Sequence, residues 1–161
     1  MAERKIALAL EYDGSCFHGW QRQTNAISVQ ETLENAWLKL TGEKRVIIGC
    51  SRTDQGVSAR YHISHLLTST SIPDENIFLA LNTKLPEGVS VLASKTVAPD
   101  FHARFHACGK TYCYRLLCSR ARPAIDRRTT AWLPQNPDYR VMRECCLHFL
   151  GERDFSALMD Q

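Results

Sequence analysis

Val46-Ile47-Ile48-Gly49-Cys50-Ser51-Arg52-Thr53-Asp54-Gln55-Gly56-Val57-Ser58-Ala59 passes from a short apolar run into a polar loop flanked by glycines. The apolar residues have the composition of a buried strand, and a second extended run, about Tyr61 to Ser69, follows the loop. Two strands joined in this way lift the loop to a sheet edge, where glycine lets the backbone come close to a ligand. Arg52 and Asp54 stand two positions apart in it. They can close a tight turn as a local ion pair, or offer an acid and a guanidinium to a ligand. Both readings are open at this point.

Upstream, Arg4 to Tyr12 alternates Ile6, Leu8 and Leu10 with other residues and reads as a first strand, ended by Asp13-Gly14. Ser15 to Ile27 is a long loop carrying Phe17, His18, Trp20, Gln21, Arg22 and Gln23. Aromatic and arginine side chains interleaved like this suit stacking on nucleic-acid bases, and they equally suit folding back onto a core. Ser28-Val29-Gln30-Glu31 is a capping box that opens a helix. Its apolar face is Val29, Leu33, Ala36, Trp37 and Leu40, and Gly42 stops it. The second strand is expected over Arg45 to Cys50.

Downstream, Pro73-Asp74-Glu75 starts a second helix that ends near Thr83, and Val89 to Val97 is a fourth strand. The order β-α-β-β-α-β is that of an α+β, ferredoxin-like antiparallel sheet with both helices on one face and the other face free. Phe105 to Cys118 is expected to add a long strand, with Tyr112, Tyr114 and Leu116 alternating. Arg120 to Pro134 reads as a loop. A last helix, capped at Asn136-Pro137 and ended by Gly151, shows Val141, Met142, Cys145, Cys146, Phe149 and Leu150 on its apolar face.

A length of 161 residues suits a single domain with a real core, and 44% hydrophobic with 23% charged residues is ordinary for a globular protein. No apolar run approaches the roughly 20 residues that span a bilayer. The N-terminus lacks signal-peptide anatomy, and seven cysteines without a C-x-x-C favour a reducing cytoplasm over a disulfide framework. The net charge of +3 hides an asymmetry: residues 101–128 carry +6, and the remainder −3. Such a stretch suits a polyanion, with arginines matched to phosphate oxygens, or a solvated face. His102, His106, Cys108 and Cys113 fail as a metal set, because alternation on a strand puts Cys108 and Cys113 on opposite faces. His62 and His65, three apart, fail likewise. Neither a phosphate-binding glycine loop nor a dinucleotide fingerprint is present. Asp54 remains as the candidate nucleophile or base, held ionised by a nearby guanidinium.

Arg52-Thr53-Asp54-Gln55-Gly56-Val57-Ser58-Ala59 resembles the R-T-D-x-G-V-x-A motif of the tRNA pseudouridine synthase A family. Three further stretches match in order. The first is Tyr12-Asp13-Gly14 followed by Phe17-His18-Gly19-Trp20-Gln21-Arg22-Gln23. The second is Asn82 with Leu85-Pro86. The third is Asp100-Phe101-His102-Ala103-Arg104-Phe105 followed by Lys110-Thr111-Tyr112-Cys113-Tyr114. The motif departs from the usual family pattern at Ser51, Gln55 and Ser58.

The resemblance implies isomerisation of uridine to pseudouridine at positions 38–40 of the tRNA anticodon arm, without metal or organic cofactor. It implies Asp54 as the catalytic aspartate, nucleophile at the ribose C1′ or base at C2′, Tyr112 stacked on the target base, and Arg52 in the space left by the flipped nucleotide. By the same resemblance, residues 1–161 are expected to correspond to the N-terminal half of a two-part fold, whose other half supplies an arginine to the aspartate. A homodimer, or a C-terminal half supplied in trans, is then expected. Arg22, Gln21, Arg104, Arg120, Arg122, Arg127 and Arg128 are the candidate RNA contacts. A non-catalytic RNA-binding half-domain and an inactive fragment are the alternatives.

Overall fold

Ile6, Leu8 and Leu10 point to one side of an extended segment and are fully buried, which makes Arg4–Tyr12 the central strand β1. Around it stand β2 (Ile48–Gly49), β3 (Ala59–Thr68) and β4 (Val89–Val97). They form an antiparallel sheet in the order β2-β3-β1-β4. Helix α1 (Val29–Thr41) and helix α2 (Asp74–Asn82) connect them. The computed structural model describes residues 3–158, and the chain divides into two compact units, Met1–Thr111 and Tyr112–Gln161.

In the first unit one sheet face and both helices share a single core. Ile6, Leu8, Leu10, Leu66, Val89 and Val91 from the strands pack with Val29, Leu33, Ala36 and Trp37 of α1 and with Ile77 and Leu81 of α2. Each such side chain removed from water contributes roughly 1.5–3 kcal/mol. Helix α1 starts as its sequence dictates: Ser28 Oγ accepts the Glu31 N–H at 3.2 Å, and Gly42, left-handed at φ 76°, ends it. β1 and β4 have the bounds expected from the alternation.

Two expectations in this unit need correction. The second strand is two residues long, not six. Its upstream flank is drawn to side chains instead of to β3: the Ile47 N–H donates to Glu34 Oε1 of α1 at 3.1 Å. Arg45 is held by Glu43 and Glu3. The second sheet face is also not wholly free. Residues 99–106 fold across it, tied by Lys5 Nζ to the Phe101 carbonyl (2.8 Å) and by the Ala103 N–H to His65 Nδ1 (3.2 Å).

The long strand expected over Phe105 to Cys118 does not form. Only β5 (Leu116–Cys118) is a strand, and it pairs in parallel with β6 (Ala131–Leu133) inside the segment expected to be a loop. A strand needs a neighbour for its backbone groups. Tyr112 and Tyr114, which carried the alternation, are 69% and 86% exposed. The last helix, α3 (Tyr139–Leu147), is capped by Asp138 rather than Asn136, since its carboxylate accepts the Arg140 and Val141 N–H groups at 2.9 and 3.1 Å. After Leu147 the chain tightens into i to i+3 hydrogen bonds, so Phe149 and Leu150 lie beyond the helix. No residue from 112 to 158 is buried.

Candidate functional site

The Asp54 loop rises from β2 through Gly49, a residue whose size is decisive. A Cβ on Gly49 would stand 2.5 Å from Trp20 and 2.7 Å from His62. Gly49 therefore lets the Trp20 indole close beneath the strand end. Trp20 stacks on His62 with ring centroids 4.1 Å apart, and Tyr12 meets His62 edge-on at 5.8 Å. A bulge in β1 between Leu10 and Tyr12 sets Tyr12 against this pair. Phe17 and Trp20 are each 5% exposed, so folding onto the core wins over base stacking for both.

This aromatic floor pins the inner side of the loop. Tyr12 Oη and Thr53 Oγ1 are hydrogen-bonded at 3.0 Å, and the Trp20 N–H donates to the Thr53 carbonyl at 3.0 Å. His62 Nε2 lies 3.1 Å from the Ser51 carbonyl, and the Gly14 N–H donates to Ser58 Oγ at 2.9 Å. Gly56, at φ 81°, closes the turn in which the Val57 N–H returns to the Asp54 carbonyl. Burial raises the Tyr12 phenol, opposed by its bond to Thr53 and reinforced by nearby Cys50. With the backbone so held, Arg52, Asp54 and Gln55 face solvent. No ion pair joins Arg52 to Asp54 among the described residues, which removes the simple turn-closing pair.

Arg52 and Gln21 each line two clefts. One, of about 410 Å³, holds Asp54 with His18, Gln21, Arg22, Gln23 and Thr53. The other, of about 740 Å³, is lined by Arg52, Gln21, Cys50, Arg104 and Lys110 among others. Arg52, Asp54, Gln21, Arg22 and Arg104 are thus gathered around one loop. Arg22 is partly engaged already, bound 2.7 Å from Glu34 of α1. Tyr112 belongs to the second unit, as do Arg120, Arg122, Arg127 and Arg128, which are exposed in and beside the turn between β5 and β6. Sequence reasoning missed Glu34, 8% exposed, whose carboxylate ties Arg22, Gln30 and Ile47 together behind the clefts. It missed His62 as the loop's support, although alternation along β3 places it on the Leu66 side. Among the described residues no cluster of three metal-ligating side chains occurs, and no helix is long and apolar enough to cross a membrane.

Comparison with known proteins agrees with the motifs. The profile of the tRNA pseudouridine synthase family matches residues 8–106. The chain is 42% identical over 154 residues to tRNA pseudouridine synthase A 2 of Clostridium perfringens and 43% identical to tRNA pseudouridine synthase A of Clostridium kluyveri. It is also 42% identical to tRNA pseudouridine synthase A of Acetivibrio thermocellus. Each alignment covers 96% of this chain and 63% of the relative's length. The mixed α/β architecture, with its four-stranded antiparallel sheet and three helices, fits half of such a synthase. With most of its length matched by the profile and the Asp54 motif inside the match, the chain belongs to the tRNA pseudouridine synthase family.

Proposed function

We propose that this chain binds tRNA in the cytoplasm and provides the catalytic loop for converting uridine to pseudouridine in the anticodon arm, at positions 38–40. Asp54 is the catalyst. In this reading its carboxylate attacks the ribose C1′, the C1′–N1 bond breaks, and uracil leaves. The base then turns and rejoins C1′ through C5, whose proton is lost as the carboxylate departs. Arg52 fills the place of the flipped nucleotide, and Tyr112 stacks on the target base. Gln21, Arg22 and Arg104 bind RNA beside the loop, and Arg120, Arg122, Arg127 and Arg128 bind phosphate. The observation that supports this best is the Asp54 loop itself: anchored on its inner side by Tyr12, Trp20 and His62, it holds a solvent-facing carboxylate in a cleft with Arg52 and Arg22.

The element order and the β2-β3-β1-β4 arrangement support a ferredoxin-like half-fold. Residues 1–161 correspond in this reading to one N-terminal domain of a two-part synthase, which acts as a homodimer or with a C-terminal half supplied in trans. A second reading, an RNA-binding half without catalysis, has one observation in its favour: no cation pairs with Asp54 among the described residues. Release of tritium from C5-labelled uridine in tRNA separates them. Catalysis predicts release that falls at least about a thousandfold in Asp54→Asn while tRNA binding persists. Binding of tRNA by the unaltered chain with no release establishes the second reading instead.

A further inference from the structure

We propose that Cys50, with His62 as its proton partner, is a thiol–disulfide exchange site that takes a small-molecule disulfide into the cleft beside Arg52 and, once capped, closes that cleft to RNA. The gating half of this inference rests on the RNA-binding reading above; the chemistry of the thiol does not.

Cys50 directly follows β2, and its N–H donates to the Ile63 carbonyl at 2.8 Å, which fixes the side chain at the wall of the 740 Å³ cleft. The thiol is half-buried, with Sγ 3.9 Å from Ser51 Oγ. His62 of β3 is the neighbouring ring that acts on the thiol. That ring is 3% exposed and committed through Nε2 to the Ser51 carbonyl. Its Nδ1 is buried with no hydrogen-bond partner among the described residues. A buried ring nitrogen left this way beside a thiol is the arrangement of an activated cysteine. Burial pushes the Cys50 thiol up, but the His62 ring, the Ile63 backbone and the Ser51 hydroxyl outweigh it and bring it to about 7. The Tyr12 phenol of β1 lies close enough to interact with it, and Arg52, Arg104 and Lys110 line the same cleft.

The step balances with the disulfide as oxidant. His62 takes the thiol proton, and the Cys50 thiolate attacks one sulfur of the disulfide. The reagent's S–S bond breaks as the mixed disulfide forms, and the other half leaves as a thiolate that regains the proton from His62. Bulk attached to Sγ then occupies the cleft wall two residues from Arg52.

Cys108 is the internal comparator, because it lines the same cleft but turns its Sγ to the His106 carbonyl at 3.6 Å. A thiol near 7 is about half ionised at pH 7, against about 3% for an ordinary one, and its lower intrinsic nucleophilicity offsets part of that gain. The net advantage is about three- to fourfold at pH 7 and about sixfold at pH 6. The full chain is incubated with oxidised glutathione, and occupancy of each cysteine is followed by peptide mass mapping from pH 6 to 8.5. Cys50 is expected to be capped first, with a pH–rate profile that levels near 7. In His62→Gln, which keeps a donor for the Ser51 carbonyl, the bend is expected to move to about 8.5. Cys108 reacting ahead of Cys50, or a native profile that bends at the ordinary value, overturns the site whether or not the variant folds. Capped chain is expected to bind tRNA at least about tenfold more weakly than the same sample re-reduced with dithiothreitol; equal binding overturns the gating. Failure of the reduced chain to bind tRNA defeats the RNA reading, while the labelling still decides the thiol.

Discussion

Gly14 has no room for a side chain. A Cβ there would lie 2.3 Å from both the carbonyl carbon and the oxygen of Val57, and backbone atoms cannot swing aside as a flexible side chain can. Its N–H also holds Ser58 Oγ, so this one residue clamps the far end of the Asp54 loop against the end of β1. Gly14→Ala is expected to cost at least about 2 kcal/mol, read as a fall in the urea midpoint. Asp54 is expected to lose its placement in the same variant, so tritium release falls further than stability accounts for at a temperature where the chain stays folded. The letters Arg52-Thr53-Asp54 were legible in the sequence together with a family for them. The clamp was not legible, because Gly14 and Val57 are brought together only by the pairing of β1 with β3.

At the scale of elements, the segment 99–106 depends on a histidine that must stay neutral. Burial lowers His65 first, the charges of His102 and Lys5 lower it further, and together they bring it to about 4. Its Nδ1 accepts the Ala103 N–H, which a protonated ring cannot do. The unfolded chain therefore binds a proton between pH 6.5 and about 4 that the folded chain refuses. This contribution to stability is complete above 6.5 and shrinks as the pH falls towards 4. The loss is expected to reach about 2–3 kcal/mol across that window. His65→Asn, which keeps an acceptor for Ala103 but does not titrate, should flatten this limb in denaturation measured between pH 7 and 4.5; an unchanged slope would show that another group carries it. Elements with a complete local signal, such as α1 with its Ser28 cap, apolar face and Gly42 stop, were legible. β2 was not, because Glu34 of α1 takes the Ile47 N–H that a longer strand would have used.

At the scale of the whole molecule, burial among the described residues is confined to the first unit. Every residue of its core cluster lies between Ile6 and Val91, whereas α3 and its neighbours bury nothing. A chain of residues 1–111 is therefore expected to unfold cooperatively with a midpoint within about 3 °C of the full chain, measured by circular dichroism. Residues 112–161 alone should show no cooperative transition. A non-cooperative 1–111 would contradict the assignment of the core.

The sequence by itself determined the elements whose signals are local: the alternation of β1 and β4, the caps of α1, the proline-led start of α2, and the order of motifs that marks the family. Such signals survive in one dimension because a strand's period or a cap's side chain acts within a few residues. The tertiary structure decided what depends on partners far along the chain. It shortened β2, denied residues 105–115 a pairing strand, and laid 99–106 over His65. It also stacked Trp20 and His62 into the floor that turns Asp54 outward. Each of these is a competition for a backbone hydrogen bond or for buried space, and its winner is fixed only when distant segments meet.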